Sequence, residues 1–166
     1  RLISMIKAPG RIAHVGADPF ITFGELDNRS HHRAEAIAGA FAQAQGFSVA
    51  VSTDIMADLW KKFMLIAPWG GVGALTRTPI GVMRRVPETR NMLERSIREV
   101  LAVALGHGVA VDPAAADQII PFIDKLPHDG TASMQRDIMA GRPSELHEQT
   151  GAVVRFGEAD GVDKPV

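Results

Sequence analysis

The amino-acid sequence predicts a mainly α protein, in which a helical bundle follows a short α/β segment. From Asp54 onward, apolar residues recur at helical spacing between proline and glycine breakers, and no run there alternates as a strand does. Residues 1–53 instead contain short alternating runs and one helical run, in the order β–β–α–β. We therefore expect the end of an α/β domain over residues 1–53 and a helical domain over residues 54–166.

The α/β segment is divided by its turn residues. The runs RIAHV and FITFG are predicted to form a hairpin with GADP as its turn. Ser30 is predicted to cap a helix from His31 to Gln45, and FSVAVS then forms a strand.

Proline and glycine also divide the helical part. Ser52 or Thr53 can cap a helix that starts at Asp54, and Pro68 is expected to kink or break it because proline lacks an N–H and its ring clashes with the preceding turn. The stretch GGVGALT follows this helix but lacks the third glycine of a dinucleotide fingerprint, so we expect it to serve close helix packing or a bend. Further helices are predicted over residues 78–85, 87–105, from 112, 133–140 and 145–156.

Composition excludes several function classes. Of 166 residues, 46% are hydrophobic and 22% charged, which is typical of a globular domain, and the net charge of -1 favours neither nucleic acid nor an anionic membrane as a partner. Cysteine is absent and the histidines show no H-E-x-x-H spacing, so we expect no metal site. No apolar run is long enough to span a membrane, and a cytoplasmic location is predicted.

Two adjacent lysines stand in the apolar stretch DLWKKFMLIAPWGG. At about 100° per residue, Ile55, Leu59 and Phe63 belong to one apolar arc of the predicted helix. Lys61 lies opposite this arc, which is typical of a solvated lysine. Lys62 lies at its margin, where its stem either covers the core while the ammonium reaches water, or its semi-buried ammonium donates a proton at the lip of a cleft.

The segment SMQRDIMAGRPSE also allows two interpretations. Ser133 begins one predicted helix and Glu145 lies in the first turn of the next. Taken singly, Ser133 is a local cap, and Glu145 is a carboxylate favoured by the positive end of the helix dipole. Only their combination with Lys62 favours a site.

The order of these features resembles the C-terminal portion of the ketopantoate reductase (2-dehydropantoate 2-reductase) family. The resemblance covers nearly all of the chain and is carried by IKAPGRIAHVG, ITFGELD, DIMADLWKKF and, most specifically, SMQRDIMAGRPSELHEQTGAVVRFGEADGVDKPV. It implies that residues 1–53 end a Rossmann-type nucleotide-binding domain. It also implies that residues 54–166 form a helical substrate and dimerisation domain like that of 6-phosphogluconate dehydrogenase-type proteins.

The resemblance also implies a reaction, the reduction of a 2-oxo acid by hydride transfer from NADPH. Lys62 falls on the family's catalytic lysine, which would polarise the carbonyl and protonate the alkoxide. Glu145 falls on the active-site glutamate, which would orient the lysine and the nicotinamide end of the cofactor. Ser133 falls on a serine that helps bind the substrate carboxylate, whereas Lys61 matches no active residue.

The chain departs from the family at three substrate-binding positions. Asparagines commonly stand four and eight residues after the family's lysine and again further on, but this chain has Ile66, Gly70 and Ile80 there. Losing these hydrogen-bond donors should relax or move the substrate preference.

The expected partners follow from the same resemblance. They are a small 2-oxo acid and NADP, with neither nucleic acid nor membrane. The family's glycine-rich phosphate loop does not occur in this sequence, so the chain by itself should bind NADPH poorly. The sequence begins inside an apolar alternation and stops without a closing element, so we expect a longer protein. An exposed edge of a broken sheet would make a homodimer plausible.

Two other interpretations remain open. The lost asparagines favour a helical interaction or dimerisation module whose site has decayed. A related helical domain from another hydroxy-acid dehydrogenase is the second, although the S-M…D-I…G-R-P-S-E pattern argues against it.

Overall fold

The structure is a computed structural model that describes residues 4–14 and 18–163. The chain divides into two compact units, Arg1–Asp58 and Leu59–Val166. Helices dominate the described residues, so the predicted mainly α class is confirmed. The division lies close to the predicted boundary between residues 53 and 54, and the assignment of the first part to a nucleotide-binding domain stays a prediction.

The first unit contains two small sheets and one helix. Strand β1 (Ser4–Ala8) pairs antiparallel with β2 (Arg11–His14). Strand β3 (Phe20–Phe23) pairs parallel with β4 (Ser48–Val51), and helix α1 (His32–Phe41) connects them.

The predicted hairpin between RIAHV and FITFG is therefore wrong. β2 pairs with β1, because Gly10 takes the left-handed conformation (φ 72°) that a tight turn between them requires. β3 pairs with β4 instead, since a parallel pair needs a long crossover and α1 supplies it. The predicted turn GADP lies partly outside the described residues.

The second unit is an all-α bundle. Its first helix, α2, begins at Ile55, a few residues before the first unit ends at Asp58. The helices are α2 (Ile55–Thr76), α3 (Ile80–Met83), α4 (Pro87–Gly106), α5 (Ala115–Asp124), α6 (Ser133–Met139) and α7 (Thr150–Ala159). Most begin within a few residues of their predicted starts, because the prolines and caps that start them act locally.

The structure differs from the helical prediction in three details. Pro68 does not break α2, since proline removes only its own N–H bond while the buried Met64 and Ala67 hold the helix in the core. Asp54 caps α2, as its Oδ1 accepts the Ala57 N–H at 2.9 Å. The last helix begins at Thr150 rather than at residue 145, because residues 146–149 form turns.

Helix α4 forms the centre of the core. It packs against α3, α5 and α7, and its inward side chains are completely or almost completely buried. They meet large apolar side chains from the surrounding helices. The most deeply buried of these residues are Met64, Ile80, Met83, Leu93, Ile97, Val103, Ile123 and Met134.

The loop before α6 is attached to α3 by backbone hydrogen bonds. The N–H groups of Ile80 and Gly81 donate to the carbonyl oxygens of Gly130 and His128, each at 2.9 Å. Gly81 is buried against His128, and a Cβ there would lie 2.5 Å from the His128 carbonyl oxygen. Only glycine allows this approach.

Replacing Gly81 with alanine is expected to destabilise the protein by about 1–3 kcal/mol, because the added methyl group must push a backbone carbonyl away. Urea unfolding measures the loss. Gly39→Ala is the matched control, since Gly39 lies in α1 with open space around it and should be neutral or stabilising. Equal effects of the two changes would contradict the close contact.

Helices α4 and α5 are joined by an ion pair. Arg90 donates to both carboxylate oxygens of Asp124 and also to Glu94. The hydrogen bond from Arg90 lowers the pKa of the Asp124 carboxyl below its ordinary value.

This ion pair should make the free energy of unfolding depend on pH. Because the folded pKa of Asp124 lies below its unfolded value, its contribution is complete above pH of about 4 and is lost as the pH falls through the folded pKa. Asp124 is half-exposed, so we expect Asp124→Asn to cost only about 0.5–1 kcal/mol at pH 7. Thermal unfolding measured across pH should show the stabilities of wild type and variant converging in acid. A loss of stability that stays constant down to pH 2 would refute this prediction.

Candidate active site

One face of α2 presents three of the predicted site residues in a row. Lys62, Ile66 and Gly70 recur every four residues, so they lie one above another on the helix. We call these three residues the α2 row. Lys62 is exposed, Ile66 is half-buried and Gly70 is buried.

The apolar arc suggested that Lys62 is more buried than Lys61, and the structure does not show this difference. Lys61 and Lys62 are both exposed, so exposure does not distinguish between them. Within residues 4–14 and 18–163, no hydrogen bond or ion pair engages the Lys62 ammonium. Its ammonium protons are thus available to another molecule.

The second group of predicted residues lies on α6 and on the loop that follows it. Ser133 is the first residue of α6 and is exposed. Arg142 donates two hydrogen bonds to Asp137 Oδ1, at 3.0 Å from Nε and 2.7 Å from Nη2, and thereby closes the loop. Asp137 is therefore a structural acid in this chain.

Glu145 follows that loop and is held by Gln149, the residue that precedes α7. Its Oε2 accepts a hydrogen bond from Gln149 Nε2 at 2.7 Å, and its carbonyl oxygen accepts the Gln149 N–H at 2.8 Å. The carboxylate remains exposed. Gln149 therefore fixes where this carboxylate lies while leaving its other oxygen open.

Gly70 is the point where these two groups meet. A Cβ at Gly70 would lie 2.6 Å from Met134 Cε, 3.5 Å from Met134 Cβ and 3.6 Å from Gln149 Oε1. Met134 follows Ser133 directly, and Gln149 holds Glu145. The end of the α2 row thus contacts both of the segments that bear Ser133 and Glu145.

The neighbouring glycines extend this close contact. Gly71 faces Thr150, whose Oγ1 would lie 3.1 Å from an added Cβ, and Gly73 faces Gln135, whose Oε1 would lie 2.5 Å away. The predicted packing role of GGVG is therefore confirmed, since its glycines bring α2 against α6 and the start of α7.

Gln135 is the polar residue at the centre of this junction and is fully buried. Its Nε2 donates to the Thr78 carbonyl oxygen at 2.8 Å, and its Oε1 accepts the Ala132 N–H at 3.3 Å. These bonds attach the N-terminus of α6, where Ser133 lies, to the connection between α2 and α3.

Ile80 differs from the other predicted substrate-binding residues, because its side chain is fully buried in the core. Ile66 keeps part of its side chain at the surface of α2. A role of Ile66, Gly70 or Ile80 in substrate binding stays a prediction.

The described residues contain no group of three or more histidine and acidic side chains that could hold a metal ion. In the same part of the chain, no helix is both long and apolar enough to cross a membrane.

Comparison with known protein families identifies the family to which this chain belongs. The family model described as ketopantoate reductase PanE/ApbA C terminal matches residues 54–166. The chain belongs to the ketopantoate reductase family.

Relatives and solved structures agree with this membership. The chain is 26% identical to the oxidoreductase YkpB of Bacillus subtilis over 98% of its own length and 54% of the relative's. It superposes on 2-dehydropantoate 2-reductase from Geobacter metallireducens with a TM-score of 0.86 at 28% identity, covering 99% of this chain and 55% of that one. The chain thus spans about half the length of the curated ketopantoate reductases and oxidoreductase that it matches.

The fold also occurs in a solved D-mandelate dehydrogenase that contains NADH. That structure superposes with a TM-score of 0.83 at 18% identity, covering 99% of this chain and 53% of that one, which shows a shared fold alone.

Sequence reasoning missed the residues that join the segments bearing the predicted site residues. Met134, Gln135 and Gln149 act through contacts with α2 that are distant in sequence. The one local signal was the run of glycines in α2, which indicated close packing without identifying its partner.

Replacing the buried Gln135 with leucine is expected to destabilise the protein by about 1–3 kcal/mol, because the Thr78 carbonyl and the Ala132 N–H lose their partner. Chemical denaturation measures this loss. The exposed Gln118 on α5 is the control, and Gln118→Leu should change stability by less than about 0.5 kcal/mol. A neutral Gln135→Leu would show that these hydrogen bonds contribute little.

Proposed function

We propose that this chain is the C-terminal substrate domain of an NADPH-dependent 2-oxo acid reductase similar to 2-dehydropantoate 2-reductase. Family membership supports the reaction class. The contact at Gly70 carries the proposal, because it joins the helix of Lys62 to the segments that bear Ser133 and Glu145.

Lys62 acts as the general acid in this proposal. An ammonium near the carbonyl oxygen of a 2-oxo acid attracts the negative charge that grows there during reduction. It then donates a proton to the alkoxide oxygen, which leaves a hydroxy acid and a neutral amine. The absence of an ion-pair partner among the described residues supports this role, since no bond must break first.

Ser133 and Glu145 orient the reactants. The Ser133 hydroxyl is exposed at the start of α6 and can donate to a substrate carboxylate. We propose that the exposed Glu145 carboxylate orients the Lys62 ammonium toward the carbonyl. Gln149 restricts the position of this carboxylate by its hydrogen bond to Oε2.

The chain's own residues also fit one end of the cofactor. Glu145 Oε1 has no hydrogen-bond donor among residues 4–14 and 18–163, so it can accept from an N–H or O–H group near the nicotinamide ring. When bound, the nicotinamide cofactor supplies the hydride. We propose NADPH as this cofactor and a small 2-oxo acid as the substrate.

The full-length protein that contains this chain provides the test. NADPH and NADH oxidation are measured against a panel of 2-oxo acids, and turnover with NADPH is expected. Absence of turnover with every acid would refute the proposal and favour an interaction or dimerisation module without catalysis.

Lys62→Ala is expected to lower the rate of reduction by about 10²–10⁴-fold, because the reaction loses its general acid. Lys61→Ala is the matched control, as Lys61 is a neighbouring lysine that is also exposed and lies on another face of α2, and it should leave the rate nearly unchanged. Steady-state kinetics with saturating NADPH measures both variants. Equal losses at the two positions would contradict the assignment.

A further inference from the structure

Gln149 is the only hydrogen-bond donor to the Glu145 carboxylate in the part of the chain that the structure describes. Its side-chain Nε2 donates to Glu145 Oε2 at 2.7 Å, and its backbone N–H donates to the Glu145 carbonyl oxygen at 2.8 Å. Main chain and side chain of one residue thus bond to main chain and side chain of the other. Gln149 is half-buried whereas Glu145 is exposed, so the amide is the better-fixed partner.

The chemistry of the two groups determines which way the Gln149 amide points. An ionised carboxylate only accepts hydrogen bonds, so the NH₂ group of the amide must face it and the carbonyl Oε1 must point away. Oε1 lies 3.6 Å from the position that a Cβ at Gly70 would take, and therefore contacts the bare backbone of α2. The amide is thus held between the Glu145 carboxylate on one side and α2 on the other.

A neutral donor suits a carboxylate that must keep its charge. The amide carries no net charge, so it fixes one carboxylate oxygen without neutralising the group. A lysine or arginine at residue 149 would form an ion pair with Glu145 instead. Such a pair would compete with the Lys62 ammonium, which this carboxylate is proposed to orient.

We propose that Gln149 is a positioning residue for the reduction and acts through Glu145, whose carboxylate it holds in the orientation that the reaction uses. The inference rests on the proposed function, because it concerns the same carboxylate. It goes beyond that function by making the rate depend on one neutral hydrogen bond, from a residue that no sequence motif identified.

Gln149→Met removes the amide and keeps the length of the side chain. In the full-length protein with saturating NADPH and a 2-oxo acid, we expect kcat to fall by about 3- to 10-fold, because one hydrogen bond to the carboxylate is lost. Gln118→Met is the matched control, since Gln118 also donates to a carboxylate, that of Asp112, but on α5. It should leave kcat unchanged, and chemical denaturation checks that both variants fold.

Gln149→Glu gives a pH dependence that a structural role would not produce. Two carboxylates at hydrogen-bond distance repel each other when both are ionised, whereas one shared proton restores a hydrogen bond between them. We therefore expect the ratio of variant to wild-type kcat to be low at about pH 8 and to rise several-fold toward pH 5. Gln118→Glu is the control and should show a ratio near one at both values of pH.

NMR measures the hydrogen bond without any turnover. The side-chain NH₂ signals of Gln149 are assigned by their loss in Gln149→Met. They should shift in Glu145→Gln, because the charged acceptor is replaced, and should stay in place in Glu148→Gln, which alters an exposed neighbour.

The outcomes separate this inference from the proposed function. Wild-type turnover that Gln149→Met leaves unaltered, or an activity loss in Gln149→Glu that is the same at both values of pH, would overturn the inference while leaving the reductase proposal intact. If the wild type reduces no 2-oxo acid, the reductase proposal fails, and the NMR comparison alone decides whether Gln149 holds the carboxylate. Gln149 signals that do not respond to Glu145→Gln would overturn the inference in either case.

Discussion

The close approach of α6 and the start of α7 to the glycines of α2 is the contact on which the site depends. Gly70, Gly71 and Gly73 expose backbone where any larger residue would place a side chain against Met134, Thr150 or Gln135. Because glycine has no side chain to hold the helices apart, the segments that bear Ser133 and Glu145 reach the helix of Lys62. A methyl group at Gly73 would separate them by displacing the buried Gln135.

Stability and the proposed chemistry are carried by different side chains of the same helices. The core residues around α4 and the buried Gln135 are almost inaccessible to water, whereas Lys62, Ser133 and Glu145 are exposed. Replacing an exposed charged residue seldom alters stability much. The candidate site residues can therefore be varied at little cost in stability, whereas a side chain at Gly70 or Gly73 would force Met134 or Gln135 to move.

The exposure of Lys62 and Glu145 bears on how they would act. An ammonium stabilises a developing negative charge more strongly where water is excluded. In this chain both residues are exposed. The proposed role of Lys62 as a general acid therefore requires that the bound reactants themselves exclude water from its ammonium.

Local chemistry made the mainly α class, the starts of most helices and the packing role of the α2 glycines predictable, because prolines, caps and glycines act within a few residues of themselves. Strand pairing is not local, which is why the predicted hairpin gave way to the pairs β1–β2 and β3–β4. The sequence motifs identified Lys62, Ser133 and Glu145 as candidates. Only the tertiary structure revealed that Gly70 joins their segments, that Gln135 anchors α6 and that Ile80 is buried, since these facts depend on contacts between helices distant in sequence.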